Sequence, residues 1–387
     1  MRPKPLSGLR ILDLTRLLPG PMATLHLADL GADVIKIEDT GAGDYARTMG
    51  HMRGDSSIFF QLLNRNKRSL RLDLKQAQGV EIFLRLARDA DIIVEGFRPG
   101  VVDKLGIGYA TVAALNPRIV YCAISGYGQD GPYRERAGHD INYIGYAGVL
   151  DQIGVEGGAP AVPNFQIGDL LGGALTPLVG MLAAVIDAKA SGKGRYVDVA
   201  MTDAVFAHNI FPLTNVLGGG AEPRGAGLIS GGSPCYGVYA TADGRHMAVG
   251  ALEPKFWQTL CTAIERPDLI PLGLARGKEG ARVKAELAAI FASQPQSHWT
   301  QKFDKLDCCV TPVLRMEESL SDAQLTARGM VVEAEGLRQF TPPYKLSEYE
   351  FTVDHAAPAS GAHTEEILQA AGYSAEQIAA FKNSAVI

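Results

Sequence analysis

The chain has 387 residues, 47% of them hydrophobic and 20% charged, with a formal charge of −5. That length exceeds what one hydrophobic core serves and predicts two or more domains, while the mildly acidic balance excludes the electrostatic footprint of a nucleic-acid or anionic-membrane partner. Five scattered cysteines (Cys122, Cys235, Cys261, Cys308 and Cys309) without CxxC spacing suit neither a disulfide framework nor a zinc site and point to a reducing cytosol.

In chain order, MRPKPLSGLRILDLT lacks the charged-then-apolar run of a secretory signal, so a cytoplasmic protein is expected. Residues 9–14 (LRILDL) predict a strand. A Pro-Gly-Pro turn, a helix through MATLHLADLG closed by Gly31 and a second strand in ADVIKIE complete a βαβ unit. QGVEIFLRLARDADIIVEGF and ATVAALNPRIVYCAISGYG repeat the alternation, which predicts an α/β fold with an open, mostly parallel, Rossmann-like sheet. No GxGxxG follows the first strand and no GxxxxGK[ST] occurs, so a cradle for a nicotinamide dinucleotide or a nucleoside triphosphate is not indicated. The apolar stretch from Leu170 to Ile186, broken by glycine and proline, reads as a core helix rather than a membrane span. The glycine-rich NVLGGGAEPRGAGLISGGSP then marks a boundary. Beyond it, CYGVYATADGRHMAVG predicts a β-hairpin and Pro254 starts a helix, opening a smaller α+β domain. The division expected is 1–215 (large domain), 216–232 (linker), 233–325 (small domain) and 326–387, whose tail offers two short helices, the second starting at Ser-Ala-Glu-Gln.

Three residues stand out as chemistry. Asp169, in QIGDLLGG, directly precedes the apolar helix, where unpaired backbone N–H groups favour a carboxylate. An N-cap is the plain structural reading, yet a capped carboxylate beside small glycines, which leave a substrate room, also serves as base or nucleophile. His139, in RAGHDINYIGYAG, carries the ring that titrates nearest neutrality, or is a histidine satisfied at a helix start beside Asp140 and Asn142. Glu253, in VGALEPKFW, is either a surface cap before Pro254 or a site residue. Arg65, Lys67, Arg68 and Arg71 form a charge run that is either solvated or meets a phosphorylated ligand. Glu95 and Arg98 fall at the C-terminal end of a predicted strand, the edge where open α/β sheets bind ligands.

Taken together and in order, PLSGLRILDLTRLLPGPMATLHLADLGADVIKIE, NRNKRSLRLDL, EGFRPGVVDKLGIGY, NPRIVYCAISGYGQDGPY, AGHDINY, GDLLGGAL, SGKGRYVDVAMTDA, GRHMAVGALEPKFW and EEILQAAGYSAEQIAAF resemble the class III CoA-transferase family across nearly the whole chain. The GHD of AGHDINY and the glutamate of GALEPKFW are similar to the α-methylacyl-CoA racemase branch. Transferases of the family usually carry an aromatic residue where His139 stands, and both branches share the aspartate of GDLLGG. The resemblance implies an interlocked homodimer acting in lipid metabolism. Each large Rossmann-like domain would combine the N-terminal part with the C-terminal tail, and acyl-CoA would lie between the large domain of one chain and the small domain of the other. It implies coenzyme A contacts from Leu72, Asp73, Leu74, Lys75, Gly96, Phe97, Arg98, Lys104, Ala137, Gly138 and Asp140. Two departures stand out. Asp39 replaces the arginine usual after the acidic residue of VIKIE, leaving Lys36 as a candidate substitute, and Asn164 sits one place off the racemase asparagine.

A 2-methylacyl-CoA thioester is a weak carbon acid, so inverting its α-carbon needs two bases on opposite faces and a stabilised enolate. The resemblance implies His139 and Asp169 as those bases, Glu253 fixing the His139 tautomer, and backbone N–H groups near Asp169 holding the thioester oxygen. No metal or redox cofactor is expected, coenzyme A entering only as part of the substrate. The alternative is CoA transfer between carboxylic acids through an acyl anhydride on Asp169, which leaves His139 without a task. A non-catalytic acyl-CoA binder on the same scaffold is the third reading.

Overall fold

The computed structural model of the protein describes residues 3–387. Six strands form one sheet: β1 (Arg10–Asp13), β2 (Asp33–Glu38), β3 (Lys67–Arg71), β4 (Ile92–Glu95), β5 (Val120–Ser125) and β6 (Tyr196–Ala200). All pairings are parallel, in the order β3-β2-β1-β4-β5-β6. Runs such as Ile92–Glu95 are buried throughout, because successive side chains enter two different cores. Leu12, Ile35 and Ile93 pack on one face with helix Ala77–Ala87 and the C-terminal Ile367, Leu368 and Ile378. Ile11, Val34 and Val94 pack on the other, under helices Pro19–Asp29 and Thr176–Ser191.

The predicted βαβ start is present, with one shift: Pro19-Gly20-Pro21 is the first turn of helix Pro19–Asp29 rather than a turn before it. Proline fits there because its missing N–H would be unpaired anyway. Gly31, at φ +97°, closes the helix as expected. The tail helices Thr364–Ala370 and Ala375–Asn383 form, and Ser374 and Gln377 make the reciprocal cap that the sequence suggests.

The chain divides into two compact units. The first comprises the chain up to Ala147, Phe165–His208 and Thr326–Ile387; the second comprises Gly148–Asn164 and Asn209–Leu325. In the second, the predicted hairpin (Tyr236–Ala240 with His246–Gly250) gains a third antiparallel strand, Val310–Pro312, and packs around Trp257, Phe291 and Trp299. Segment 148–164 groups with this unit because the Arg224 guanidinium bonds Asp151 and Gly158, a link between distant stretches that composition does not reveal.

The apolar helix begins as a π-helix, Gly168–Leu175, that continues as Thr176–Ser191. Thr176 Oγ1 donates to the Leu171 carbonyl (2.7 Å) within the widened turns. Leu178, Met181 and Val185 bury one face, as a core helix should, whereas Val179 and Ile186 on the other are 69% and 71% exposed. By length and composition this helix could also cross a membrane, the sole one among the described residues to do so. The glycines of GDLLGG serve packing: a Cβ on Gly172 would lie 2.7 Å from the Met201 carbonyl oxygen, and one on Gly173 would lie 2.3 Å from Pro19 Cβ. Gly172→Ala therefore forces helix and backbone apart, and we expect a loss of about 1–3 kcal/mol in unfolding free energy, read by denaturant titration.

Candidate active site

The order of the sheet reverses at β1, and open α/β sheets bind ligands beyond the carboxyl ends of the strands at such a point. A cleft of about 700 Å³ lies there within the first unit. Residues Leu14–Gly20, directly after β1, and Gly96 and Phe97, directly after β4, line it together with His139 and Asp169. Met49, Ile124, Tyr143 and Met201 give it a largely apolar wall.

Sequence neighbours of His139 set its place. Its extended backbone (φ −130°) caps helix Asp140–Tyr146, and Asn142 Oδ1 accepts the His139 N–H at 3.0 Å. The preceding loop is braced by aromatic contacts: Arg136 lies 3.9 Å from the Tyr133 ring centroid and donates to Tyr146 Oη, and Tyr143 Oη donates to the Gly138 carbonyl at 2.5 Å. The imidazole is exposed on the cleft.

Asp169 is not the N-cap that the sequence suggests. Ile167 holds that position, in helical conformation, and Asp169 lies in the first π-turn. Its N–H donates to Asp140 Oδ1 at 3.1 Å, which ties the helix of His139 to the helix of Asp169. Gly168 permits the approach, since its Cβ would lie 3.1 Å from that same oxygen. Burial lifts the Asp169 carboxyl to about 6, the Asp140 carboxylate adding to the rise and His139 opposing it. Two of the expected backbone donors are already engaged: Asp169 N–H by Asp140, and Leu170 N–H by the Gln166 carbonyl at 2.9 Å.

Of the other expected ligand contacts, Gly96, Phe97 and Gly138 line the cleft, while Leu72, Asp73, Leu74, Lys75, Arg98, Lys104, Ala137 and Asp140 do not. Leu72 is 1% exposed in the core, and its N–H donates to the Glu38 carbonyl at 2.8 Å. Asp73 Oδ1 accepts the N–H of Lys75, itself exposed, as are Arg98 and Lys104. Glu253 belongs to the second unit, exposed at the N-cap of helix Pro254–Ala263, and Asn164 is an exposed residue of that unit.

The basic run is largely engaged in internal bonds, although the Arg68 side chain keeps 22% of its surface exposed. Lys67 is fully buried among Asp13, Thr24, Asn64 and the Pro21 carbonyl. Arg65 makes a fork with Asp29 (3.1 and 2.7 Å), Arg68 pairs with Asp33, and Arg71 donates to the Thr40 carbonyl. Lys36 cannot replace the arginine missing at Asp39, because it too is fully buried, 2.8 Å from Asp44. Asp39 instead pairs with Arg16 of the cleft wall at 2.9 Å.

One group escaped the sequence reading, and another, already placed at a strand end, takes its character only from the fold. Gln166, half-buried, lines the cleft three residues before Asp169 and carries no motif signal. Glu95, 2% exposed at the end of β4, accepts the Phe97 N–H at 2.7 Å, and burial pushes its carboxyl up to about 8.

Such a site, with a base pair of imidazole and carboxylate on an apolar cleft at a sheet switch point, fits an enzyme acting on a carbon acid or an acyl group. Residues 6–364 match the CoA-transferase family III profile, and the chain belongs to that family. It is 35% identical to alpha-methylacyl-CoA racemase from Homo sapiens, an alignment covering 99% of this chain and 97% of that protein. It is also 33% identical to succinyl-CoA:glutarate CoA-transferase from Homo sapiens, covering 95% of this chain and 86% of that one. The crystal structure of a CAIB/BAIF family protein from Brucella suis superposes with a TM-score of 0.84 at 28% identity, covering 96% of this chain and all of that chain.

Glu95 has a measurable signature. The folded chain keeps its proton to about pH 8, whereas the unfolded chain releases it near about pH 4.3, so this group costs stability as pH rises through that window. Denaturant titrations of Glu95→Gln between about pH 5 and 8 should show the variant gaining on the parent by up to about 1.4 kcal/mol per pH unit.

Proposed function

We propose that the protein is an acyl-CoA racemase, exchanging the α-proton of a 2-methylacyl-CoA between His139 and Asp169 through an enolate. The observation that carries this reading is that both side chains line one cleft. One group takes the proton from one face while the other delivers a proton to the opposite face, and the roles exchange with the direction of reaction. A carboxyl lifted to about 6 suits this dual duty, being readily both proton acceptor and donor near neutrality. With the Asp169 and Leu170 N–H groups engaged, the Gln166 amide is the donor we assign to the thioester oxygen.

Coenzyme A runs along the carboxyl edge of this Rossmann-like sheet, past the backbone of Leu72–Lys75, Gly96–Arg98, Lys104 and the Ala137–Asp140 loop. Two copies interlock as a homodimer. The uncovered Val179 and Ile186, and the exposed Phe211 and Leu217 of helix Ile210–Leu217, support an apolar contact with a second chain. All five cysteines are free, which fits a cytoplasmic setting. CoA transfer through an Asp169 anhydride is the second reading, favoured by the transferase among the relatives.

The test is incubation with a 2-methylacyl-CoA in heavy water, following α-deuterium and CoA exchange onto added carboxylic acids together. Racemisation predicts label without exchange, and a loss of about 10²–10⁴-fold for His139→Ala and for Asp169→Ala. Exchange that survives His139→Ala but not Asp169→Ala would establish transfer instead. In the direction that uses the Asp169 carboxylate as base, kcat/KM should fall as pH drops below about 6. Gln166→Leu should lower kcat about 10–10³-fold, with a smaller effect on KM, in steady-state assays.

A further inference from the structure

Two stretches of the cleft wall come from parts of the chain that share no secondary-structure element. One is Leu14–Gly20, after β1; the other contains Tyr45, Met49 and Gly50, around the 3₁₀ turn Tyr45–Thr48. Beneath both lies one ion pair, Lys36 Nζ to Asp44 Oδ2 at 2.8 Å, with both side chains fully buried. Lys36 also donates to the Thr15 carbonyl at 2.9 Å. Asp44 Oδ1 accepts the Leu17 N–H at 3.2 Å and the Ala46 N–H at 2.9 Å, the second bond capping the 3₁₀ turn.

Leu17 has φ +63°, a left-handed conformation that a leucine adopts only when its surroundings impose it. The Asp44 hydrogen bond and the Lys36 hold on Thr15, two residues earlier, are that imposition. Each anchor is further secured. Asp13 Oδ1 accepts the Thr15 N–H at 2.9 Å, and Glu38 Oε2 accepts the Asp44 N–H at 3.1 Å. Asp44 Oδ2 receives no hydrogen bond from any other described group, so without Lys36 it is a bare buried carboxylate oxygen.

We propose that Lys36 and Asp44 are positioning residues for the acyl-CoA cleft: their buried pair locks the Leu17 turn and the Tyr45–Thr48 turn to each other and so sets the spacing of two cleft walls. Neither residue lines the cleft, so neither touches substrate. This inference rests on the reading that the cleft binds an acyl-CoA, but not on which reaction follows. An apolar pair of equal size would fill the same volume, yet it would offer no acceptor to the Leu17 and Ala46 N–H groups and no donor to Thr15.

The test uses the full-length chain with Lys36→Met/Asp44→Leu, which leaves no charge stranded and removes the acceptor of the Leu17 and Ala46 N–H groups, and with Lys36→Met alone as the second variant. Hydrogen exchange by mass spectrometry should show residues 14–20 and 45–50 losing protection while β4 and β5 keep theirs. KM for a 2-methylacyl-CoA, or Kd for acetyl-CoA by calorimetry, should rise about tenfold or more with kcat changed less than about threefold. A folded variant with parental protection in both segments and parental Kd overturns the proposal. So does failure of both variants to fold, which would make the pair a folding element. If the parent binds acetyl-CoA but exchanges no α-deuterium, the racemase reading falls while the positioning role stands; if it binds no CoA thioester, both fall.

Discussion

The hydrogen bond from the Asp169 N–H to Asp140 Oδ1 joins the two elements that carry the candidate bases. Asp140 follows His139 at a helix start, and Asp169 opens the π-helix, so a single contact of a type worth about 1.5–3 kcal/mol sets the relation of imidazole to carboxylate. That contact exists because Gly168 adds no Cβ beside the Asp140 carboxylate, and because Gly172 and Gly173 let the π-helix sit against Met201 and Pro19. The same Asp140 charge that orients the backbone of Asp169 also raises its carboxyl toward neutrality. Burial remains the larger cause of that rise.

A second theme is charge turned inward at the carboxyl edge of the sheet. Asp13 ends β1, Lys36 lies in β2, Asp44 follows β2, and Lys67 opens β3 and reaches Asp13; all four are buried. Burial lowers the Lys67 ammonium to about 8 despite the pull of Asp13, and it works against the Asp13 carboxylate too, where Lys67, Lys36 and the Thr15 and Thr24 hydrogen bonds together outweigh it. Breaking such pairs is costly, whereas replacing them whole by apolar side chains is often neutral. Their value here lies in what they hold, since the loops bonded to them form the cleft.

Legibility differed by scale. The alternation of apolar runs with helix patterns showed the parallel sheet, because side-chain periodicity records which faces are buried. The pairing of β6 beside β5, the third strand of the small antiparallel sheet and the link from Arg224 to segment 148–164 depend on contacts between residues far apart, which periodicity does not record. Gln166 carries no signal in the sequence, and Glu95, placed there at a strand end, owes its raised carboxyl to burial; each acquires meaning from what surrounds it, not from its neighbours in sequence.

His139 and Asp169 were visible as candidates because their types are scarce in such contexts and their flanking motifs match a known family. From residue types, motifs and periodicity alone, the sequence determined the α/β class, the first βαβ unit and the end of the first helix at Gly31, and it singled out His139 and Asp169 as candidates. Only the tertiary structure decided that Asp169 sits inside a π-turn rather than capping a helix, that the basic run is spent on internal pairs, and which segments wall the cleft. The reason is physical: helix and strand patterns arise from neighbours along the chain, whereas burial, proton affinity and ion pairing are set by groups that meet only when the chain is folded.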